Sequence, residues 1–134
     1  MSGFVAETDT KVLAEMARKS GSERVKKTAN YLRAANYYYP KTFYAERFGD
    51  YAFYAVNIAK KHLTIIELAV LEGEHGKGIG RKLVNRIKRL CREKGIDKIR
   101  LRTAINETAI EFWLRQGAEI VGLNGEDYEL EIKV

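Results

Sequence analysis

The segment from residue 63 to residue 95 changes its hydrophobic period once, and glycine marks the change. Leu63-Thr64-Ile65-Ile66-Glu67-Leu68-Ala69-Val70-Leu71 is apolar at almost every position. A strand of this kind has no polar face to give to water. It therefore predicts a central place in a sheet covered on both sides. Gly76, Gly78 and Gly80 follow within five residues. Ile79, Leu83, Val84, Ile87, Leu90 and Cys91 then recur at helical spacing until Gly95 closes the helix. Ile99, Leu101, Thr103 and Ile105 alternate as the next strand. A buried strand, a glycine turn, an amphipathic helix and a second strand define an α/β unit. Across 63–105 it is expected to be a right-handed parallel crossover.

The flanks extend that unit. Residues 3–7 suit a short strand. Asp9 or Thr10 can cap a helix over about 10–19, with Val12, Leu13 and Met16 on one face. Gly21 ends it, and Ser22 can cap a second helix to about residue 36 through Val25, Ala29, Leu32 and Ala35. Tyr37-Tyr38-Tyr39-Pro40 breaks that helix. Residues 42–48 and 51–59 read as a hairpin around Gly49-Asp50. A helix over about 107–116 turns Ala109, Phe112 and Trp113 inward and ends at Gly117. Residues 118–123 and 127–133 form a last hairpin around Asn124-Gly125. The order is strand, two helices, three strands, helix, strand, helix, two strands, which predicts an α/β fold with a mixed sheet.

No repeat, low-complexity tract or linker interrupts residues 1–134, so they read as a single domain. Hydrophobic content of 46% and charged content of 31% exclude a disordered chain. No apolar run approaches the ~20 residues of a membrane helix, and the N-terminus lacks a signal-peptide pattern. Cys91 is the sole cysteine, so a disulfide framework is excluded. His62, His75 and Cys91 form no ligand-spaced cluster, so no metal is expected. A cytoplasmic location fits these features.

Glycines between a buried strand and a helix suit anion binding. They permit positive φ and close approach of a ligand. The first N–H groups of the helix have no partners within it, and its dipole adds partial positive charge. A pyrophosphate fits such a place, with Lys77, Arg81 and Lys82 nearby. Spacing discriminates among nucleotide families. An ATP or GTP loop needs Lys and a hydroxyl after its second glycine, but Ile79-Gly80 follows Gly78. A dinucleotide fingerprint fails because Arg81 or Leu83 stands at the third glycine position.

The spacing that fits is polar-x-x-Gly-x-Gly, from His75, Gly78 and Gly80. Preceded by Leu68-Ala69-Val70 and followed by Arg81-Lys82-Leu83, it resembles the acetyl-CoA motif of the GNAT N-acetyltransferase superfamily. His75 replaces the usual Gln or Arg. Asn106, Ala109, Phe112, Trp113 and Gly117 resemble the family's later Asn-x-x-Ala-x-x-Phe-Tyr-x-x-x-Gly element. The resemblance covers about residues 63–118. It implies the single-domain acyl-CoA N-acyltransferase fold, with a mixed, mostly antiparallel sheet flanked by helices. It implies acetyl-CoA as co-substrate, held by Leu68, Ala69, Val70, His75, Gly76, Lys77, Gly78, Ile79, Gly80, Arg81, Asn106, Phe112 and Trp113.

The resemblance also implies direct transfer from the thioester to an amine, on a small molecule or a protein. An alkyl amine of pKa ~10.4 is neutral in only about one molecule in 2,500 at pH 7, so a base is useful. Glu67 is the candidate, as the only charged residue in its strand; the alternative is a structural pair with Arg100 or Arg102. The resemblance assigns the carbonyl oxygen to the backbone N–H of Val70, on a strand that splays from its parallel neighbour. The family's proton-donating Tyr is here Trp113, whose indole N–H lacks useful acidity. Tyr128, Tyr54 or water remain as donors. The aromatic cluster at 37–54, including Tyr37–Tyr39, suits an acceptor pocket, core packing or a homodimer contact.

Arg81, Lys82, Arg86, Lys88, Arg89, Arg92 and Lys94 against Glu93 carry the whole net charge of +6. A solvated helix face or an anion site explains them. Two further functions stand beside the enzyme: a non-catalytic acetyl-CoA-binding module, and a nucleic-acid-binding domain using helix 81–94. No recognised nucleic-acid motif accompanies the segment, so the last ranks lowest.

Overall fold

The computed structural model describes residues 3–134 except 8 and 22, and only the backbone of 23–30. The Ser22 cap and the side chains of Val25 and Ala29 therefore lie outside the described residues. The elements are β1 (Phe4–Ala6), α1 (Thr10–Arg18), α2 (Glu23–Tyr38), β2 (Phe43–Phe48), β3 (Ala52–Ile58) and β4 (His62–Val70). They continue with α3 (Ile79–Lys94), β5 (Lys98–Ala104), α4 (Glu107–Arg115), β6 (Ala118–Asn124) and β7 (Asp127–Lys133). The order matches the hydrophobic pattern.

All the strands form one sheet in the order β1-β2-β3-β4-β5-β7-β6. The apolar strand β4 is central, as its lack of a polar face requires. Among the described residues its pairing with β5 is parallel, and the other strand pairs are antiparallel. Helices cover the sheet from both sides. Leu63, Ile65, Leu83, Val84, Ile87, Ile99 and Leu130 pack on the α3 face. Leu13, Ala17, Leu32, Phe53, Ala55 and Ala69 pack on the α1–α2 face. Alternation sends Phe53 and Tyr54, both fully buried, to opposite faces.

Local chemistry sets the boundaries. The Asp9 side chain accepts from Lys11 N–H and starts α1. Gly95 takes a left-handed φ of 70°, and Ile96 N–H closes on Cys91 O at 2.8 Å. Helix α2 runs to Tyr38, two residues past the expected end. Pro40 limits the residue before it, and so sets the stop there. Ile105 lies beyond β5 and is 55% exposed, so the alternation ends at Thr103. The chain turns at that point, with Asn106 N–H on Ala104 O at 2.8 Å.

One irregularity matters for function. β4 pairs with β5 at His62–Lys98, Leu63–Ile99 and Thr64–Arg100 and no further. β5 stays with β7 from Lys98 to Ala104. On its other edge β4 pairs Ile65 with Val56 but Glu67 with Ala55, so Ile66 is an extra residue. Such a bulge bends and twists its strand. Beyond Thr64, β4 departs from β5 and a slot opens in the middle of the sheet.

Candidate active site

β4 forms one wall of the slot, and its backbone groups point into it. Leu71 N–H donates to Tyr51 O at 2.8 Å, which fixes the antiparallel alternation with β3. Val70 opposite Ala52 and Leu68 opposite Tyr54 are then the non-hydrogen-bonded positions. Their N–H and C=O groups face away from β3, toward the side that β5 has left. Leu68 N–H donates to Glu67 Oε1 at 3.0 Å, so the half-buried Glu67 carboxylate reaches the slot edge. Arg100 Nε lies 3.3 Å from Glu131, and Arg102 Nη2 lies 3.5 Å from Glu129. The two bases weighed as structural partners of Glu67 thus engage other carboxylates.

The glycine turn closes one end of this region. Gly76 and Gly78 have φ of 82° and 75°, and a Cβ on either would meet nothing within 4 Å. Gly78 is the N-cap of α3 and offers no side-chain cap, and the first turn holds no acid. Ordinary helix starts favour an acid there. Instead Arg81 and Lys82 follow, so the residues present fit an anionic group at free backbone N–H donors. Lys77 is shared with Glu74 at 2.9 Å, and Lys82 Nζ stands 5.3 Å from the centre of the Phe48 ring. His75 is exposed, whereas the Ile79 side chain belongs to the core. Gly80 differs from the other two glycines: a Cβ on it would lie 3.1 Å from Phe112 Cε1 and Cζ.

That contact joins the two glycine-bearing motifs. Phe112 sits edge-on to Trp113, with centroids 5.1 Å apart and planes at 81°. Trp113 is only 8% exposed and packs in the α3-side core. Asn106 caps α4, its Oδ1 accepting Ala109 N–H at 3.1 Å. Lys88 Nζ donates to Gln116 O at 2.7 Å, which ties α3 to the end of α4.

A buried polar network was not read from the sequence. Glu46 of β2 is 3% exposed. Arg86 of α3 clasps it, Nε on Oε1 at 2.7 Å and Nη2 on Oε2 at 3.2 Å. Tyr54 OH donates to the same carboxylate. Burial pushes Glu46 up, but hydrogen bonds from Arg86 and Tyr54 outweigh it and hold the carboxyl below its ordinary value. Burial and the Glu46 carboxylate push the Tyr54 phenol far above its ordinary range. The Tyr54 hydroxyl is thus committed to Glu46 within the core. The one available signal was Arg86 beside the apolar stripe of Leu83, Val84 and Ile87. Its partner lies 40 residues away in sequence. Arg86 and Lys88 together draw two cations of the 81–94 segment into structural contacts.

A strand that leaves its parallel neighbour beside an uncapped glycine turn defines the acyl-CoA acyltransferase class of α/β fold. Residues 43–118 match the acetyltransferase (GNAT) family, and the chain belongs to that family. No curated protein sequence matches it significantly. Solved structures of low identity share the fold. The PaiA N-acetyltransferase of Thermoplasma acidophilum in complex with coenzyme A is 18% identical, with TM-score 0.73, over 98% of this chain and 99% of that one. The ribosomal-protein-S18-alanine N-acetyltransferase of Escherichia coli is 16% identical, with TM-score 0.76, over 98% and 94%. A GNAT family acetyltransferase of Elizabethkingia anophelis with acetyl-CoA bound is 12% identical, with TM-score 0.69, over the full length of both chains. Among the described residues no helix is long and apolar enough to cross a membrane.

Proposed function

We propose that residues 1–134 act as one domain that transfers an acetyl group from acetyl-CoA directly to an amine. One observation carries this reading: β4 stops pairing with β5 after Thr64, so that Glu67 and Val70 lie on the parted stretch of the strand that leads to the uncapped start of α3. Acetyl-CoA supplies the activated thioester. The N–H groups of Gly76, Lys77, Gly78, Ile79 and Gly80 hold its diphosphate, with charge from Arg81 and a polar contact from His75. The wall formed by Leu68, Ala69 and Val70 aligns its arm, and Asn106, Phe112 and Trp113 support the same side. Val70 N–H donates to the carbonyl oxygen where negative charge develops. Glu67 accepts the proton that the incoming ammonium must lose, directly or through water. Tyr128, half-buried on β7, or water returns a proton to the leaving sulfur.

Trp113 favours a second reading, a binder of acetyl-CoA without turnover, because an indole in the core offers no acid. The test has two arms. Acetyl-CoA should raise Tm, and free thiol should then appear with at least one of a panel of amines. Unchanged Tm at saturating acetyl-CoA overturns both readings. A raised Tm with no thiol release leaves only the binder.

A further inference from the structure

Tyr37, Tyr38 and Tyr39 close α2 and stand 80%, 71% and 57% exposed. The Tyr37 and Tyr38 rings meet edge to face, with centroids 5.2 Å apart and planes at 90°. Backbone hydrogen bonds fix what lies beside them. Phe43 N–H donates to Tyr39 O at 2.9 Å, Ile58 N–H to Thr42 O at 2.8 Å, and Ala59 N–H to His62 O at 2.9 Å. The end of α2, the start of β2 and the β3–β4 turn thus share one end of the molecule. Lys41, Lys60 and Lys61 are exposed there. A strand rises about 3.3 Å per residue, so β4 carries Val70 roughly 26 Å away from His62. This surface is remote from the slot.

Its charge is one-sided. Between residues 31 and 62 the acids are Glu46 and Asp50. Glu46 is buried on Arg86, and Asp50 lies in the turn at the other end of the β2–β3 hairpin, paired with Arg47 at 2.9 Å. Among the described residues Lys41, Lys60 and Lys61 have no carboxylate partner. Exposed Arg33 adds a cation one turn before Tyr37. Past His62 the edge becomes mixed, with Asp97 exposed and Lys98 shared with Glu131 at 3.7 Å.

The chemistry selects one occupant. Like charge opposes a second copy seated on the same patch. A bilayer calls for exposed aliphatic side chains, but among the described residues the exposed large apolar groups at this end are tyrosines. An acidic peptide would use the lysines and leave the ring faces bare. A single strand of nucleic acid uses both: its phosphates meet the lysines, and its unpaired bases stack on the rings. A duplex hides its base faces.

We propose that this end of the domain binds single-stranded nucleic acid, with Tyr37 and Tyr38 stacking on bases and Lys41, Lys60 and Lys61 holding phosphates. The surface is separate from the basic helix α3, where Arg86 and Lys88 are tied into structural contacts. It does not rest on the transferase reading.

The test is fluorescence anisotropy of labelled oligo-dT and oligo-rU, each about twelve nucleotides long. Three phosphate contacts on a single strand give a log–log salt slope of about −2, and Arg33 can only steepen it. Raising salt from about 50 to about 200 mM should therefore weaken binding about 15-fold or more. Tyr37→Ala/Tyr38→Ala should weaken binding about tenfold or more and leave the slope unchanged. Lys60→Gln/Lys61→Gln should weaken binding and flatten the slope by about 1.4. Arg89→Gln/Arg92→Gln on α3 should bind as the native chain does. All six side chains are exposed, so each variant should keep its fold by circular dichroism. Unchanged anisotropy at about 50 mM salt overturns the proposal. So does a duplex of the same length that binds as tightly, or tighter binding to poly-glutamate or to phosphatidylserine vesicles. Loss of binding in the Arg89/Arg92 variant, with none in the tyrosine variant, moves the strand to α3 and overturns it as well.

Discussion

Phe112 fills the space that a side chain on Gly80 would need, 3.1 Å from where its Cβ would stand. The first turn of α3 and the helix α4 are thus one packed unit. Gly80→Val should cost about 1–3 kcal/mol through overpacking. Phe112→Ala should relieve part of that cost, so the double variant should lose less than the sum of the two single changes. Urea denaturation of all four proteins measures it. Strict additivity would mean that the contact carries no energy.

Gly78 should behave differently, because open space surrounds it. Gly78→Glu places an L-residue at φ 75°, at a cost of about 1–2 kcal/mol. The chain should stay folded by circular dichroism. The new carboxylate would meet the diphosphate at the free N–H groups, so the acetyl-CoA-dependent rise in Tm should vanish. Retention of that rise would move the diphosphate away from this turn.

The Glu46–Arg86 pair should matter for stability. Arg86→Met leaves a carboxylate buried without its cation, which typically costs about 3–5 kcal/mol. Chemical denaturation should show a loss of that order. A loss below about 1 kcal/mol would indicate that Glu46 finds water or another partner.

The same network predicts two limbs in the pH dependence of stability. Glu46 titrates below the ordinary value of 4.5 in the folded chain. Its contribution is complete above that value and is lost as pH falls through the lower folded value. Tyr54 titrates above the ordinary 10.0, so its contribution is complete below pH 10.0 and is lost as pH rises beyond it. Glu46→Gln should flatten the acid limb, and Tyr54→Phe the alkaline limb, in denaturation curves taken at a series of pH values.

Glu67→Gln tests the base. Turnover should fall ~100-fold or more, in line with general-base catalysis, while acetyl-CoA affinity changes little. Turnover equal to that of the native chain would take Glu67 out of the mechanism and leave its hydrogen bond to Leu68 N–H as a structural feature.

Period, punctuation and spacing were local properties, and they determined the element order, the central place of β4, and the glycine turn with the helix behind it. A strand apolar on both faces has to be covered on both, and a left-handed N-cap favours glycine. Long-range contact decided the rest. No periodicity marks Ile66 as the extra residue, because a bulge exists only against the register of β3. The slot it opens depends on β5 remaining with β7. Arg86 reads as part of a basic surface until Glu46 lies across from it. Gly80 reads as one more phosphate-loop glycine until Phe112 packs on it. Sequence set which backbone could turn toward a ligand; only the packed sheet set what faces it.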